Sequence, residues 1–239
     1  MILINCDMGE NLTPNPDALV MPHIHLANIA CGGHAGDATS IMETLALAKQ
    51  HSVKIGAHPS YPDKDNFGRQ SQSLSEAALH QTLTEQVSAL ENLASSLGLQ
   101  LHHIKPHGAL YLDMMRSEQI FLQLLSFCQA FNQGKAQPIK LMIQGGLKDK
   151  DYQTLADTYS IELLFEAFAD RAYLPNGQLA PRSQPNSLYQ HTDNIIEQSW
   201  QFHKTHQQAS TPNTLCFHSD NPVSVDALIA FAKELKESS

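Results

Sequence analysis

The stretch HHIKPHGALY at residues 102–111 sets a lysine, a histidine and a phenol, Lys105, His107 and Tyr111, where a short apolar run ends. Five other segments do the same. NCDMGEN follows the first apolar run with Asp7 and Glu10, NIACGGHAGD carries Asn28, His34 and Asp37, and GAHPSYPD carries His58 and Asp63. Further on, EAFADR supplies Glu166, Asp170 and Arg171, and FHSDNP supplies His218 and Asp220. Carboxylates, imidazoles and cations brought to one place suit hydrolysis of a polar, anionic small molecule. Asp7 or Glu10 can orient or deprotonate a water, and a histidine can carry its proton to a leaving nitrogen near neutral pH. Lys105 and Arg171 can hold a carboxylate, a phosphate or a developing oxyanion. Spacing does not separate metal-free acid–base catalysis from metal-assisted hydrolysis. An Asp with two His is a sound zinc or hard-metal set, yet no HExxH pair favours the ion. No Gly-x-Ser-x-Gly elbow occurs, which counts against a serine hydrolase of the α/β kind.

The elements that must position these groups are short apolar runs alternating with helical patterns. The runs fall at 2–5, 26–30, 53–57, 101–104, 139–143, 161–168 and 214–217, and helices are predicted over 39–51, 74–97, 117–131, 191–208 and 222–236. The longest helix opens with Ser73 and Glu76 at capping-box spacing, shows Leu79, Leu83, Val87 and Leu90 on one face, and can close at Gly98. Such alternation means an α/β protein with a parallel sheet, either doubly wound or closed into a barrel. In both, all strand C-termini lie on one side, where active sites form. Only the fifth run, ending LMIQGG, lacks an ionisable group there. Taken singly, a strand-end histidine is a hydrogen-bonded structural residue more often than a catalyst. His34, His58, His107 and His218 together on one rim are read as chemistry. His102 and His103 precede a strand end, and His80, His203 and His206 fall in helices, so these take surface or packing roles. Cys6, Cys31 and Cys216 are read as small fillers of a crowded barrel mouth. Gly32, Gly33 and Gly36 can expose backbone N–H groups to an anion, or serve simple turns. The segment 169–190, rich in proline, is expected to be a long functional loop.

The totals narrow the class. A chain of 239 residues suits one domain spanning 1–239, and its formal net charge of −9 offers no basic field to nucleic acid. Four cysteines without a CxxC pair point to a reducing cytoplasm, the MILINCD start does not read as a signal peptide, and no apolar run is long enough for a membrane span. Neither Gly-x-Gly-x-x-Gly after the first run nor GxxxxGK[ST] is present, so the usual nucleotide-binding fingerprints are missing.

NCDMGE, NIACGGHAGD, GAHPSYPD, KPHGALY, EAFADRAY with LAPR, and HSDNP, in that order along nearly the whole chain, resemble the LamB/YcsF family of prokaryotic 5-oxoprolinase A subunits. That resemblance implies a distorted, TIM-like (β/α) barrel of about seven parallel strands, related to the glycoside hydrolase/deacetylase group. It implies ATP-dependent opening of 5-oxoproline to L-glutamate, with Mg-ATP as co-substrate and subunits B and C as partners. A homo-oligomer is compatible with it. The catalytic set is expected among Asp7, Glu10, His34, His58, Lys105, His107, Glu166 and His218. Substrate or phosphate is expected on Asn28, Arg69, Tyr111, Asp170, Arg171 and Asp220. Three departures stand out: NFGRQ at 66–70 matches the family at Arg69 but ends in Gln70, Ser219 replaces a glycine, and Gly33 replaces a residue often aromatic, which leaves part of the pocket wall open. The competing readings are a stand-alone metal-dependent amidase or deacetylase on the same barrel, and a small-molecule-binding subunit without chemistry. Binding platforms favour aromatics, and a single Trp200 with 7% aromatic content speaks against the latter.

Overall fold

Parallel strands must bury both faces, so a sheet built from such runs needs helices on one side and something equally dry or fully hydrogen-bonded on the other. The computed structural model, which describes residues 1–146, 148–209 and 211–238, meets this by closing the sheet on itself. β1 (Leu3–Met8), β2 (Leu26–Ala30), β3 (Lys54–His58), β4 (Leu101–Ile104), β5 (Lys140–Gln144), β6 (Leu163–Phe168) and β7 (Thr214–Phe217) form a closed, all-parallel barrel in chain order. β1 completes it by pairing with both β2 and β7. The helices are α1 (Asp17–Val20), α2 (Ala38–Gln50), α3 (Glu76–Ser96), α4 (Gly108–Arg116), α5 (Glu118–Phe131), α6 (Asp149–Thr158), α7 (Thr192–Ala209) and α8 (Pro222–Glu237). No helix among the described residues is long and apolar enough to cross a membrane.

The five expected helices each start and end within two residues of the observed ones. α1, α4 and α6 were not anticipated. α4 begins at Gly108, two residues after Pro106, and α6 buries only Ala156 and so shows little apolar stripe. The cap of α3 also differs from expectation: Ser75, not Ser73, is the N-cap, its Oγ accepting from the Ala78 amide at 3.2 Å. Gly98 does follow that helix in a left-handed conformation, φ +73°.

β1 runs three residues past its apolar run, because the barrel interior is polar. Ile4, Cys6 and Met8 join the core shared with the helices, whereas the alternate residues face inward. The inside is layered. Leu3, Leu26, Met142 and Leu164 form a separate apolar plug at the strand N-terminal end. Above it Asn5 donates to Thr214 Oγ1 (3.0 Å) and Glu166 Oε2 (3.3 Å), Asn28 donates to Asn5 Oδ1 (2.8 Å), and His103 Nε2 donates to Asn28 Oδ1 (2.7 Å). His103 thus lies fully buried within the barrel, and β3 makes room for its ring with Gly56, where a Cβ would come within 2.2 Å of His103 Nε2. The next layer up carries Asp7, His58, Lys105 and Cys216.

One junction fixes the loop after β3 to the start of α4. Gly108 has φ +56°, and a Cβ there would lie 2.4 Å from the Gly68 carbonyl oxygen, which already accepts from Ala109 N at 2.9 Å. Gly108→Ala is therefore expected to destabilise by about 2–4 kcal/mol, adding left-handed strain to a backbone clash. Urea denaturation measures it; an unchanged midpoint would mean the loop yields freely.

Candidate active site

A buried ammonium survives only where anions meet it, and Lys105 is built that way. Its Nζ, 2% exposed at residue level, lies 2.9 Å from Asp7 Oδ1, 3.1 Å from Glu166 Oε2 and 3.1 Å from Cys216 Sγ. Burial pulls its pKa down, but Asp7, Cys216 and Glu166 more than reverse this, and the ammonium is held well above its usual range. Asp7 feels the converse: burial pushes its carboxyl up, yet His58 and Lys105 hold it well below the normal value. Asn28 Nδ2 also donates to Asp7 Oδ1 at 2.8 Å. Glu10 is driven the other way, raised first by burial and then by the charges of Asp7 and Asp220. Two carboxylates three residues apart are thus pushed to opposite protonation behaviour, a pattern of acid–base sites.

Above this floor opens a cavity of about 350 Å³. Its lining includes Asp7, Glu10, His58, Lys105, His107, Tyr111, His218 and Asp220, all at or just past the C-terminal halves of strands. Leu179, Ala180, Pro181 and Arg182 of the 169–190 loop form one wall, so that loop is part of the site. Most notably, the chain has four arginines, and all four, Arg69, Arg116, Arg171 and Arg182, line this cavity. Arg69 pairs with Asp220 at 3.1 Å, and Arg171 donates through a terminal nitrogen to the Ala180 carbonyl at 2.7 Å, leaving its buried Nε without a partner among the described residues. The Tyr111 hydroxyl and Glu166 Oε1 are likewise buried without a hydrogen-bond partner among the described residues. Burial first, then the neighbouring Glu166, raises the Tyr111 phenol well above its usual pKa.

His218 is the best-oriented imidazole at the mouth. Its Nδ1 donates to Asp170 Oδ1 at 2.8 Å, and Asp170 Oδ2 accepts from the His218 backbone amide (3.0 Å) and from Ser224 Oγ (2.7 Å). Burial would raise the Asp170 carboxyl, but His218 and these hydrogen bonds hold it below normal. This fixes the proton on Nδ1 and leaves Nε2 as the free nitrogen of a residue that lines the cavity.

Not every candidate reaches the cavity. Asp170 is fully buried behind His218, so it positions an imidazole and does not face a ligand. Asn28 and Glu166 sit beneath the floor as partners of Asp7 and Lys105. His34 stands behind His107, ring stacked on ring at 3.7 Å, and burial first, then His58, lowers its pKa to about 2. Sequence reasoning missed Asn5 and His103 in the barrel network, and Arg116 and Arg182 at the mouth. Concentration of every arginine near strand-end motifs was the available signal for the last two. The thiols stay protonated: burial pushes Cys31 up to about 12 and raises Cys6 and Cys216 well above normal.

The departures resolve locally. Ser219 does not take a left-handed backbone, and its hydroxyl donates to the Asp7 carbonyl at 2.8 Å, tying the last strand end to the first. The wall expected to open at Gly33 is filled by Gln86, whose Oε1 would lie 2.3 Å from a Cβ there; the same side chain bonds Ser60 N and O at 3.0 and 2.8 Å. The glycines of this loop serve turns, with φ +83° at Gly32 and Gly36, and the N-terminus of α2 is closed by Asp37, which accepts from Thr39 N and Ser40 N. Two groups of donor atoms gather closely enough to hold an ion, each within 4.8 Å: Glu10, His34, His58 and His107, and Asp7, Cys216 and His218.

A seven-stranded parallel (β/α) barrel with an arginine-ringed, acid–base pocket at its strand C-termini is the class that fold and site define. Within it, a LamB/YcsF family model matches residues 2–239, and the chain belongs to that family. It is similar to the A subunit of 5-oxoprolinase from Vibrio cholerae, with 42% identity covering 99% of this chain and 98% of the relative. Similarity to a 5-oxoprolinase A subunit of Pseudomonas aeruginosa is 39% identity, over 95% and 93%. The crystal structure of the lactam utilization protein from Thermus thermophilus superposes with a TM-score of 0.82, 31% identity, and coverage of 99% and 96%.

Proposed function

We propose that this chain is the A subunit of a multi-subunit 5-oxoprolinase, hydrolysing the cyclic amide of 5-oxoproline to L-glutamate with ATP and two partner subunits, B and C, in the cytoplasm. The names of its near full-length relatives support the assignment. The observation that carries it is the gathering of all four arginines around an acid–base floor. A lactam is a resonance-stabilised amide that water attacks slowly, and phosphorylating its oxygen from Mg-ATP makes the ring carbon electrophilic. The resulting species carries both a carboxylate and a phosphate, which suits several guanidiniums better than a single carboxylate would. Asp7, held ionised, orients the attacking water, and a ligating atom of His218 lies within 4.8 Å of one of Asp7, the span of one bridging water. His218 Nε2 takes the proton and returns it to the leaving nitrogen, which opens the ring to an acyl phosphate, and a second water releases the phosphate to leave glutamate. Lys105 and Arg171 hold the developing oxyanion and the substrate anion.

Glutamate release from 5-oxoproline, with and without ATP, for the chain alone and with its B and C subunits, tests the proposal. Release only with ATP and all three subunits is expected; hydrolysis by the chain alone without ATP would overturn it. Arg116→Ala and Arg182→Ala, both at the mouth, are each expected to raise KM about tenfold or more with kcat little changed. An unaltered KM in both would remove the ring from substrate binding. A second reading, a metal-dependent amidase, is favoured by the Glu10–His34–His58–His107 cluster and would show ATP-independent activity lost on chelation.

A further inference from the structure

His58 and His107 are each gripped from outside by a main-chain carbonyl. His58 Nδ1 lies 2.6 Å from the Lys105 oxygen, and His107 Nε2 lies 3.0 Å from the Phe67 oxygen. A carbonyl oxygen only accepts, so each of these nitrogens carries its ring's proton. With both rings neutral, the opposite nitrogens, His58 Nε2 and His107 Nδ1, are both lone pairs. They nevertheless face each other at 3.0 Å. Two lone pairs at that distance repel unless a cation lies against both.

Carboxyl groups converge on the same point. Asp7 Oδ2 is 3.4 Å from His58 Nε2, and Glu10 Oε1 is 3.8 Å from His107 Nδ1 and 3.3 Å from His34 Nε2. We propose that Glu10, His34, His58 and His107 form a binding site for one divalent transition-metal ion of the zinc type, open to the cavity beside Asp7. A proton shared between His58 and His107 would satisfy those two nitrogens alone, whereas an ion also engages Glu10 and His34. Three imidazoles with one carboxylate are the donor set such ions take. Metal–nitrogen bonds of about 2.0–2.1 Å place neighbouring ligand atoms roughly 3.0–3.4 Å apart, which the 3.0 Å contact already meets. Outer N–H groups bonded to backbone carbonyls are also how ligating histidines are held and aimed.

The metal site stands apart from the lactam reading, because ion binding is measured on the chain alone. The full chain, stripped with a chelator and dialysed, is titrated with Zn²⁺ and with Co²⁺, following metal per chain by mass spectrometry and the visible bands of bound cobalt. One ion per chain is expected, with affinity lowered at least tenfold in His107→Ala and in Glu10→Gln. Circular dichroism checks that each variant folds; should His107→Ala unfold, Glu10→Gln decides. Failure of the wild type to bind stoichiometrically would overturn the site and leave the shared proton, visible as a far-downfield N–H resonance. Binding indifferent to these substitutions would also overturn it. Glutamate release by the complete complex is scored separately, so a bound ion without 5-oxoproline turnover sinks the functional reading and leaves the metal site standing.

Discussion

Lys105→Met is expected to cost the fold about 3–5 kcal/mol, the largest stability loss of any single substitution in the barrel. Methionine matches the length of the lysine stem but takes away the only cation within hydrogen-bonding reach of Asp7 Oδ1 and Glu166 Oε2, at 2.9 and 3.1 Å among the described residues. Glu166 is fully enclosed and Asp7 is only 6% exposed, at the cavity floor, so water replaces the ammonium poorly. Asn28 and Asn5 continue to donate to them, which limits the loss. For a chain of 239 residues that loss corresponds to a Tm lower by roughly 6–20 °C. Adding Glu166→Gln removes one orphaned charge, and Lys105→Met/Glu166→Gln is expected to recover part of the stability. Thermal and urea denaturation of the two variants and of Glu166→Gln form a double-mutant cycle. A Lys105→Met protein as stable as the wild type, or a double variant less stable than the sum of the singles, would show that the ammonium is not what holds this layer together.

That polar layer is also where the sequence was hardest to read. Apolar runs gave the strands because their outward faces pack on helices, and the helices came within two residues because their apolar stripes are long. Strand-end motifs placed Asp7, Lys105, His107 and His218 on one rim correctly, since in a parallel sheet that follows from strand direction alone. Asn5 and His103 escaped because a polar residue inside a strand reads as facing water, and only barrel closure turns that face inward onto Asn28 and Thr214. Asp170 was assigned to ligand binding with its neighbour Arg171, yet the two side chains part: Arg171 lines the cavity, and Asp170 turns under His218, 48 residues away in sequence. Pairings across that distance are set by packing of β6 against β7, which no local pattern encodes. The arginines were legible in principle. Eleven lysines scatter over the chain while all four arginines attend one cavity, a split that bidentate anion recognition explains.

Asp170→Asn follows from this same turn beneath His218, and is expected to lower kcat by about 10²–10⁴ with KM nearly unchanged. Asp170 Oδ2 accepts from the His218 amide at 3.0 Å and from Ser224 Oγ at 2.7 Å, while His218 Nδ1 donates to Oδ1 at 2.8 Å and lies 3.0 Å from Oδ2. An asparagine has one acceptor oxygen. Two donors, one of them a backbone N–H that cannot rotate away, claim it at the Oδ2 position. The amide nitrogen then takes the Oδ1 position, 2.8 Å from His218 Nδ1 and nearer than the oxygen at 3.0 Å, and as a donor it favours a lone pair there. The imidazole must shift its proton to Nε2, the nitrogen turned toward the cavity, which can no longer accept one from water. Volume and packing barely change, and Asp170 does not line the cavity, so substrate affinity and Tm should stay close to wild type. Nitrogen-15 shifts of His218 read the tautomer directly in the isolated chain, and glutamate release by the assembled complex reads its consequence. A tautomer switch without loss of turnover would remove His218 from proton transfer. Loss of turnover with the tautomer unchanged would mean that Asp170 acts through its charge and not by aiming the ring.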